Sequence, residues 1–186
     1  KYFIFGAIFS VLSLGASSAA IGKAKIETIT IGIASNFTDV TPNSYNSFGN
    51  SVKNGVVMAA DEINEKLKAK GVQIGFKEFN YGSDELNVRK IAREGAKSDL
   101  ICMIGYEFSN HALLAAPLHQ ELKFPMITPS ASADRIAKIG DYIFQGTFNN
   151  SYQVEILAQY AVKSLHAKRA AIITASDCAY CEDVAA

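Results

Sequence analysis

Short apolar runs alternate with stretches of helical periodicity along most of this chain. Residues 28–34 (TITIGIA) are β-branched or apolar at successive positions, the pattern of a strand covered on both faces. A polar loop follows over residues 35–47. Val52, Val56, Ala59, Ala60, Ile63 and Leu67 then recur at three-to-four spacing and predict a helix that Gly71 ends. Residues 73–80 (QIGFKEFN) alternate as a second strand. Ser83 is the expected N-cap of the next helix, with Asp84 and Glu85 in its first turn, where the dipole favours carboxylates. Leu86, Ile91 and Ala92 give that helix its apolar side. Residues 100–105 are a short buried strand. Ser109 is expected to cap a third helix bearing Ala112, Leu113, Ala116 and Leu122, which Pro117 should kink or split. Residues 124–128 and 141–147 read as strands, 151–165 as a helix, and 169–175 as a final strand.

Alternating strands and helices with short connections predict an α/β fold with a doubly wound parallel sheet. Such sheets bind ligands in the crevice outside the carboxyl ends of their strands. The segments expected there are residues 35–47, 81–83, 106–110, 129–135 and 176–181. Most are rich in hydroxyls, amides and aromatic rings, with few charges.

Composition narrows the function without changing the fold. Lys and Arg number 18, as do Asp and Glu, and no basic stripe interleaved with aromatics is present, which argues against a nucleic-acid partner. Apolar residues make up 49% of the chain, ample for a packed core. Part of that share lies at the start. Residues 1–20 carry one charge, Lys1, then an apolar run and a small-residue end, the pattern of a secretory signal peptide. Ser17 and Ala19, or Ser18 and Ala20, suit the small-residue positions before a cleavage site. The apolar run is shorter than the roughly 20 residues a membrane span needs. Export to the periplasm is the expectation, with no stable membrane insertion once the signal is removed.

The chemistry-bearing motifs are few. Gly49 and Gly55 lack the Gly-Lys-Ser/Thr of a phosphate loop. No Gly-x-Ser-x-Gly surrounds Ser109, so a hydrolase elbow is not indicated. His111, His119 and His166 share no metal-ligand spacing and read as surface or helix-face histidines. No metal and no cofactor is expected. Cys102 falls in an apolar run and reads as a buried small hydrophobe. Cys178 and Cys181 form a C-x-x-C pair: a possible disulfide, two free thiols, or a thiol–disulfide oxidoreductase centre. The remaining constellation is Ser109, Ser130 and Ser132, which can converge with helix-terminal N–H groups on a carboxylate, while Phe48 and Tyr180 supply apolar walls. Capping of helices and turns is the alternative use of those serines. A binder needs a preorganised polar pocket and no reacting acid, base or nucleophile, so the expectation is a non-catalytic protein.

The runs GNSVKNGVVMAADEIN, SDLICMIGYEFSN, FPMITPSASADRI and DYIFQGTFNN resemble the leucine/isoleucine/valine-binding proteins, the periplasmic type-I solute-binding components of ABC transporters. The likeness runs from about Thr28 to Val184. It implies a Venus-flytrap fold of two lobes joined by hinges. Residues 26–149 would then be an incomplete N-terminal lobe and 150–186 the start of a truncated second lobe. The resemblance places the ligand's α-carboxylate at Ser109 and Ser132, with Ser130 contributing backbone, and aromatic contacts at Phe48 and Tyr180. It implies amino-acid transport: a small amino-acid-like ligand captured for delivery to the permease subunits of an ABC importer. A ligand-sensing receptor ectodomain uses the same fold. Where close family members bridge two cysteines, this chain carries Ser83 and Phe108, and its Cys178/Cys181 pair is atypical.

Overall fold

A computed structural model describes residues 26–37, 46–82 and 84–185. The expected signal peptide over residues 1–20 and the middle of the loop after the first strand lie outside the described residues, as does Ser83. Five strands form one parallel sheet: β1 (Glu27–Ser35), β2 (Val72–Asn80), β3 (Leu100–Gly105), β4 (Met126–Thr128) and β5 (Ile143–Gln145), in the spatial order β2-β1-β3-β4-β5. Helices α1 (Asn46–Leu67), α2 (Glu85–Ala96) and α3 (Ser109–Glu121) make the crossovers, and α4 (Asn150–Lys163) and α5 (Ala179–Ala185) follow β5. The doubly wound parallel sheet read from the sequence is the fold. Its strand order reverses at β1, which leads outward to β2 on one side while β3 lies on the other, and there the strand ends open a crevice.

Packing is closest where α2 and α3 cover the sheet. Ala34, Met103, Tyr106, Ala112, Ala115, Ala116, Met126 and Ile136 are all fully buried there. Small residues make the approach possible. A Cβ on Gly32 would lie 2.6 Å from the Met103 sulfur, and one on Gly95 of α2 would lie 2.5 Å from its terminal methyl. The flexible thioether therefore fills a space that two glycines leave open. On the other face α1 packs less closely, and an apolar groove of about 540 Å³ runs between Val52, Val56 and Ile63 of α1 and Ile31, Phe76 and Ile104 of the sheet.

Several local expectations are corrected. Asp84, not Ser83, is the N-cap of α2, its carboxylate accepting from the Leu86 amide at 2.8 Å. Ser109 does not cap α3. Phe108 occupies the cap position with extended backbone and no side-chain bond, and Ser109 is the first helical residue. Pro117 does not split α3, which continues to Glu121. Its missing N–H removes one rung, while Ala115, Ala116 and Leu118 hold the turn against the sheet. His119 is no surface residue: it is fully buried between Tyr106 and Phe124. Residues 169–175 form no strand, and Ile173 is 97% exposed. A strand needs a neighbour to take its backbone groups, and none among the described residues lies beside this segment.

Gly71 does end the first helical stretch. After a 3₁₀ turn over Lys68–Lys70 it takes a left-handed conformation (φ 66°) and turns the chain into β2.

Candidate functional site

The site is built where β1, β3 and β4 end. Gly105 closes β3 at φ +152°, and a Cβ there would lie 1.9 Å from the Ala34 carbonyl oxygen, so only glycine lets the two strand ends meet. The chain then runs Tyr106, Glu107, Phe108 into α3. The Tyr106 amide N–H donates a hydrogen bond to the Ala34 carbonyl (3.0 Å), and the Tyr106 carbonyl accepts from the Thr128 hydroxyl (3.0 Å).

Beneath the loop lies a polar cluster that sequence reasoning missed. The Glu107 carboxylate is 3% exposed and accepts from the Tyr81 hydroxyl at 2.7 Å and from the Asn36 amide at 3.4 Å. Burial, reinforced by the Glu107 charge, pushes the Tyr81 phenol well above its ordinary range, so it remains a donor. His111 packs edge-on against Tyr81 and Phe108, with ring centroids at 4.8 and 5.9 Å. Burial lowers its pKa, partly opposed by Glu107 and Glu85, and its buried Nδ1 has no hydrogen-bond partner among the described residues. Both features favour a neutral ring. The only available signal was an acid placed directly after an apolar strand and between two aromatic residues.

The serines tie the loops together. Ser109 is 5% exposed and its Oγ accepts from the Ala133 amide at 3.3 Å, which leaves its proton to donate elsewhere. Ser130 spends its hydroxyl on the Glu107 carbonyl (2.8 Å). Ser132 is 6% exposed, and its carbonyl accepts from the Asn150 amide at 2.9 Å. The first turn of α3 adds N–H groups that no earlier helical carbonyl can take.

A cleft of about 500 Å³ opens above this floor, lined by Asn36, Phe108, Ser109, Asn110, His111, Tyr180 and the Cys178–Cys181 pair, which is disulfide-bonded. Ser109 and Tyr180 thus share one cleft. Phe48 and Ser130 line the apolar groove beside α1 instead, although the Phe48 ring meets Phe108 edge-on at 5.8 Å. Ser132 lines neither. Asn110, another residue that sequence reasoning missed, spends its amide on the chain entering α5: Nδ2 donates to the Asp177 carbonyl (2.7 Å) and Oδ1 accepts from the Ala179 amide (2.8 Å). The cleft therefore presents hydroxyl and ring donors among apolar and aromatic walls.

A parallel sheet with a ligand-sized cleft at its strand ends is common to many proteins, and comparison with known ones decides among them. The periplasmic binding protein family matches residues 28–186. The chain belongs to that family. It is 26% identical over 146 residues to the Leu/Ile/Val-binding protein BraC3 of Rhizobium johnstonii, covering 78% of this chain and 39% of that protein. Among solved structures it is similar to the branched-chain amino acid transporter substrate-binding protein LivJ of Streptococcus pneumoniae in complex with isoleucine. That likeness has a TM-score of 0.76 and 27% identity, over 86% of this chain and 45% of that one. A solute-binding protein of an ABC transporter from Rhodopseudomonas palustris HaA2, in complex with p-hydroxybenzoic acid, aligns with a TM-score of 0.61 and 26% identity, over 75% of this chain and 36% of that one. This periplasmic binding protein chain thus spans less than half the length of each of these relatives. Its sheet is that of the type-I members.

Proposed function

We propose that this chain carries the ligand-capturing N-terminal lobe and the beginning of the second lobe of a non-catalytic solute-binding protein. On this reading the parent protein serves an ABC importer. It is exported to the periplasm by the signal at residues 1–20, takes a small amino-acid-like carboxylate between two lobes, and delivers it to the membrane permease. Residues 26–149 form the first lobe, and the chain crosses to the second near residue 150.

The observation that carries this reading is the cleft itself, which lies between the β3–α3 turn on one side and Tyr180 with the Cys178–Cys181 bond on the other. The Ser109 hydroxyl, still free to donate, and the N–H groups of the first turn of α3 favour a carboxylate. Ser132, in the neighbouring loop and outside the cleft lining, is the second hydroxyl that the family resemblance assigns to the carboxylate, and Ser130 holds that loop to Glu107. Phe108 and Tyr180 flank the apolar part of the ligand, with Phe48 supporting Phe108. Glu107, an acid close to the cleft floor, is buried and engaged by Tyr81 and Asn36, which suits structure better than proton transfer.

Isothermal titration of the full-length protein with L-leucine, L-isoleucine, L-valine and p-hydroxybenzoic acid tests this reading. Tight stoichiometric binding of at least one is expected. Ser109→Ala and Ser132→Ala should each weaken it by about 1–3 kcal/mol, the effect of losing one hydrogen bond to a charged group. Parent-like affinity in both variants would reject the carboxylate assignment.

A further inference from the structure

One wall of the cleft is a covalent bond that can be broken and remade. Cys178 and Cys181 are joined at the start of α5, both are half-buried rather than sealed, and both line the cleft beside Phe108, Ser109 and His111. Tyr180 lies inside the four-residue loop that the bond closes. Its phenol exchanges hydrogen bonds with Gln153 at 3.0 and 3.3 Å, and its carbonyl accepts from Asn150 Nδ2 at 3.3 Å. Asn110, the residue after Ser109, grips the chain on both sides of Cys178 through the Asp177 carbonyl and the Ala179 amide.

Besides these bonds, Asp183 accepts from the Asp134 amide (3.0 Å) and Arg135 meets Glu182 (3.5 Å), but regular secondary structure contributes little to the order of this segment. Residues 166–178 contain no helix or strand, and α5 is seven residues long, too short to persist without tertiary support. The cross-link therefore restricts the one segment that carries both Tyr180 and the partners of Asn110.

We propose that the Cys178–Cys181 disulfide is a thiol-exchange site that gates ligand capture. Oxidised, it holds Tyr180 and the Asn110 grip in the arrangement that completes the cleft; reduced by a dithiol, it releases both and capture weakens. The gating rests on the reading that this cleft takes the ligand. In the reduction, one dithiol thiolate attacks Cys181 Sγ, the S–S bond breaks, and Cys178 Sγ leaves as the thiolate, on the sulfur that already accepts the Cys181 amide N–H (3.1 Å). The second dithiol sulfur then displaces Cys181. Both cysteines end as thiols carrying the two protons of the dithiol, which loses two electrons and becomes a cyclic disulfide. Cys102 stands apart: it is buried in β3, and burial raises its thiol pKa, so it offers little thiolate for exchange.

The test uses the full-length protein with and without dithiothreitol, and a Cys178→Ser/Cys181→Ser double variant that keeps Cys102. Two readouts are taken: the dissociation constant for whichever of the four titrated ligands binds, and amide hydrogen exchange over residues 177–185 without ligand. Reduction should weaken binding about five- to tenfold through lost preorganisation and quicken exchange in that segment. The double variant should match the reduced protein and ignore dithiothreitol. Equal affinity in the two redox states would overturn the gating. If none of the four ligands binds even the oxidised protein, the capture reading fails on its own, and exchange then decides whether the bond orders the segment; unchanged exchange overturns the inference there too.

Discussion

The sheet with α2 and α3, and the segment from Asn150 to Ala185, are held by different forces. In the first, side chains such as Ala34, Met103, Tyr106, Ala115 and Met126 are wholly removed from water, and glycines at 32, 95 and 105 allow close approach. In the second, Tyr152, Leu157, Tyr160 and Ile172 are each more than half exposed. Its attachment is polar. Asn150 donates from its backbone to the Ser132 carbonyl and from its side chain to the Tyr180 carbonyl and Asp183. The Asp134 carboxylate accepts from both the amide and the hydroxyl of Ser151, which holds its pKa below the usual range. Arg135 meets Glu182 at 3.5 Å. Close packing resists deformation, whereas a handful of directional bonds near water can be exchanged at small cost. On the proposed two-lobe reading, the first arrangement suits the interior of a lobe and the second a junction that must open and close around a solute.

The contrast can be broken most forcefully at Gly105. Gly105→Ala would drive a methyl into the Ala34 carbonyl at a backbone conformation that side chains rarely adopt. A loss of at least about 3 kcal/mol is expected, read as a lower urea midpoint for the whole sheet region. A loss below about 1 kcal/mol would mean that the strand ends are not as rigidly packed as the contrast requires.

Acid should act on the same region through His119. The ring is buried, Nδ1 donates to the Phe124 carbonyl (3.0 Å), Nε2 accepts from Tyr106, and burial brings the pKa down to about 4. The unfolded chain takes up the proton near pH 6.5, so stability is full above that value and falls as pH drops towards 4. At about 1.4 kcal/mol per pH unit the loss approaches about 3 kcal/mol. Urea titrations between pH 7 and 4 check this, and His119→Gln should flatten the part of the profile that His119 causes.

The gentler perturbation sharpens the other half of the comparison. Asn150→Ala removes the side-chain bonds to α5 and should cost about 1–2 kcal/mol of local attachment. Amides of α5 should then exchange faster while those of β1 and β3 stay unchanged. Equal acceleration in both regions would show that they unfold as one unit.

The strand and helix order was legible because each element of the sheet region has a local apolar pattern of its own, as in the continuous run at residues 28–34 and the three-to-four spacing from Val52 to Leu67. The expected strand at residues 169–175 has the same apolar signal yet pairs with none of the described residues, because a local apolar pattern specifies a face and not a partner. For the site, Ser109 and Tyr180 were readable as a hydroxyl and an aromatic at expected strand ends, and both line the cleft. Phe48 and Ser130 carried the same kind of signal but line the α1 groove, since composition does not say to which side of a loop a side chain turns. Asn110, Glu107 and Tyr81 fall in segments expected at the strand ends, but nothing local marked their side chains for these contacts. Their roles come from partners 67, 71 and 26 residues away in sequence.

By itself the sequence determined the α/β alternation, the left-handed stop at Gly71 and the burial of Cys102, because local periodicity, backbone conformation and hydrophobicity act over a few neighbouring residues. Tertiary packing, in contrast, put His119 inside the core and set the Cys178–Cys181 bond across the cleft from Ser109. Each of those depends on which distant groups arrive at hydrogen-bonding or van der Waals distance, and that is fixed when the elements pack.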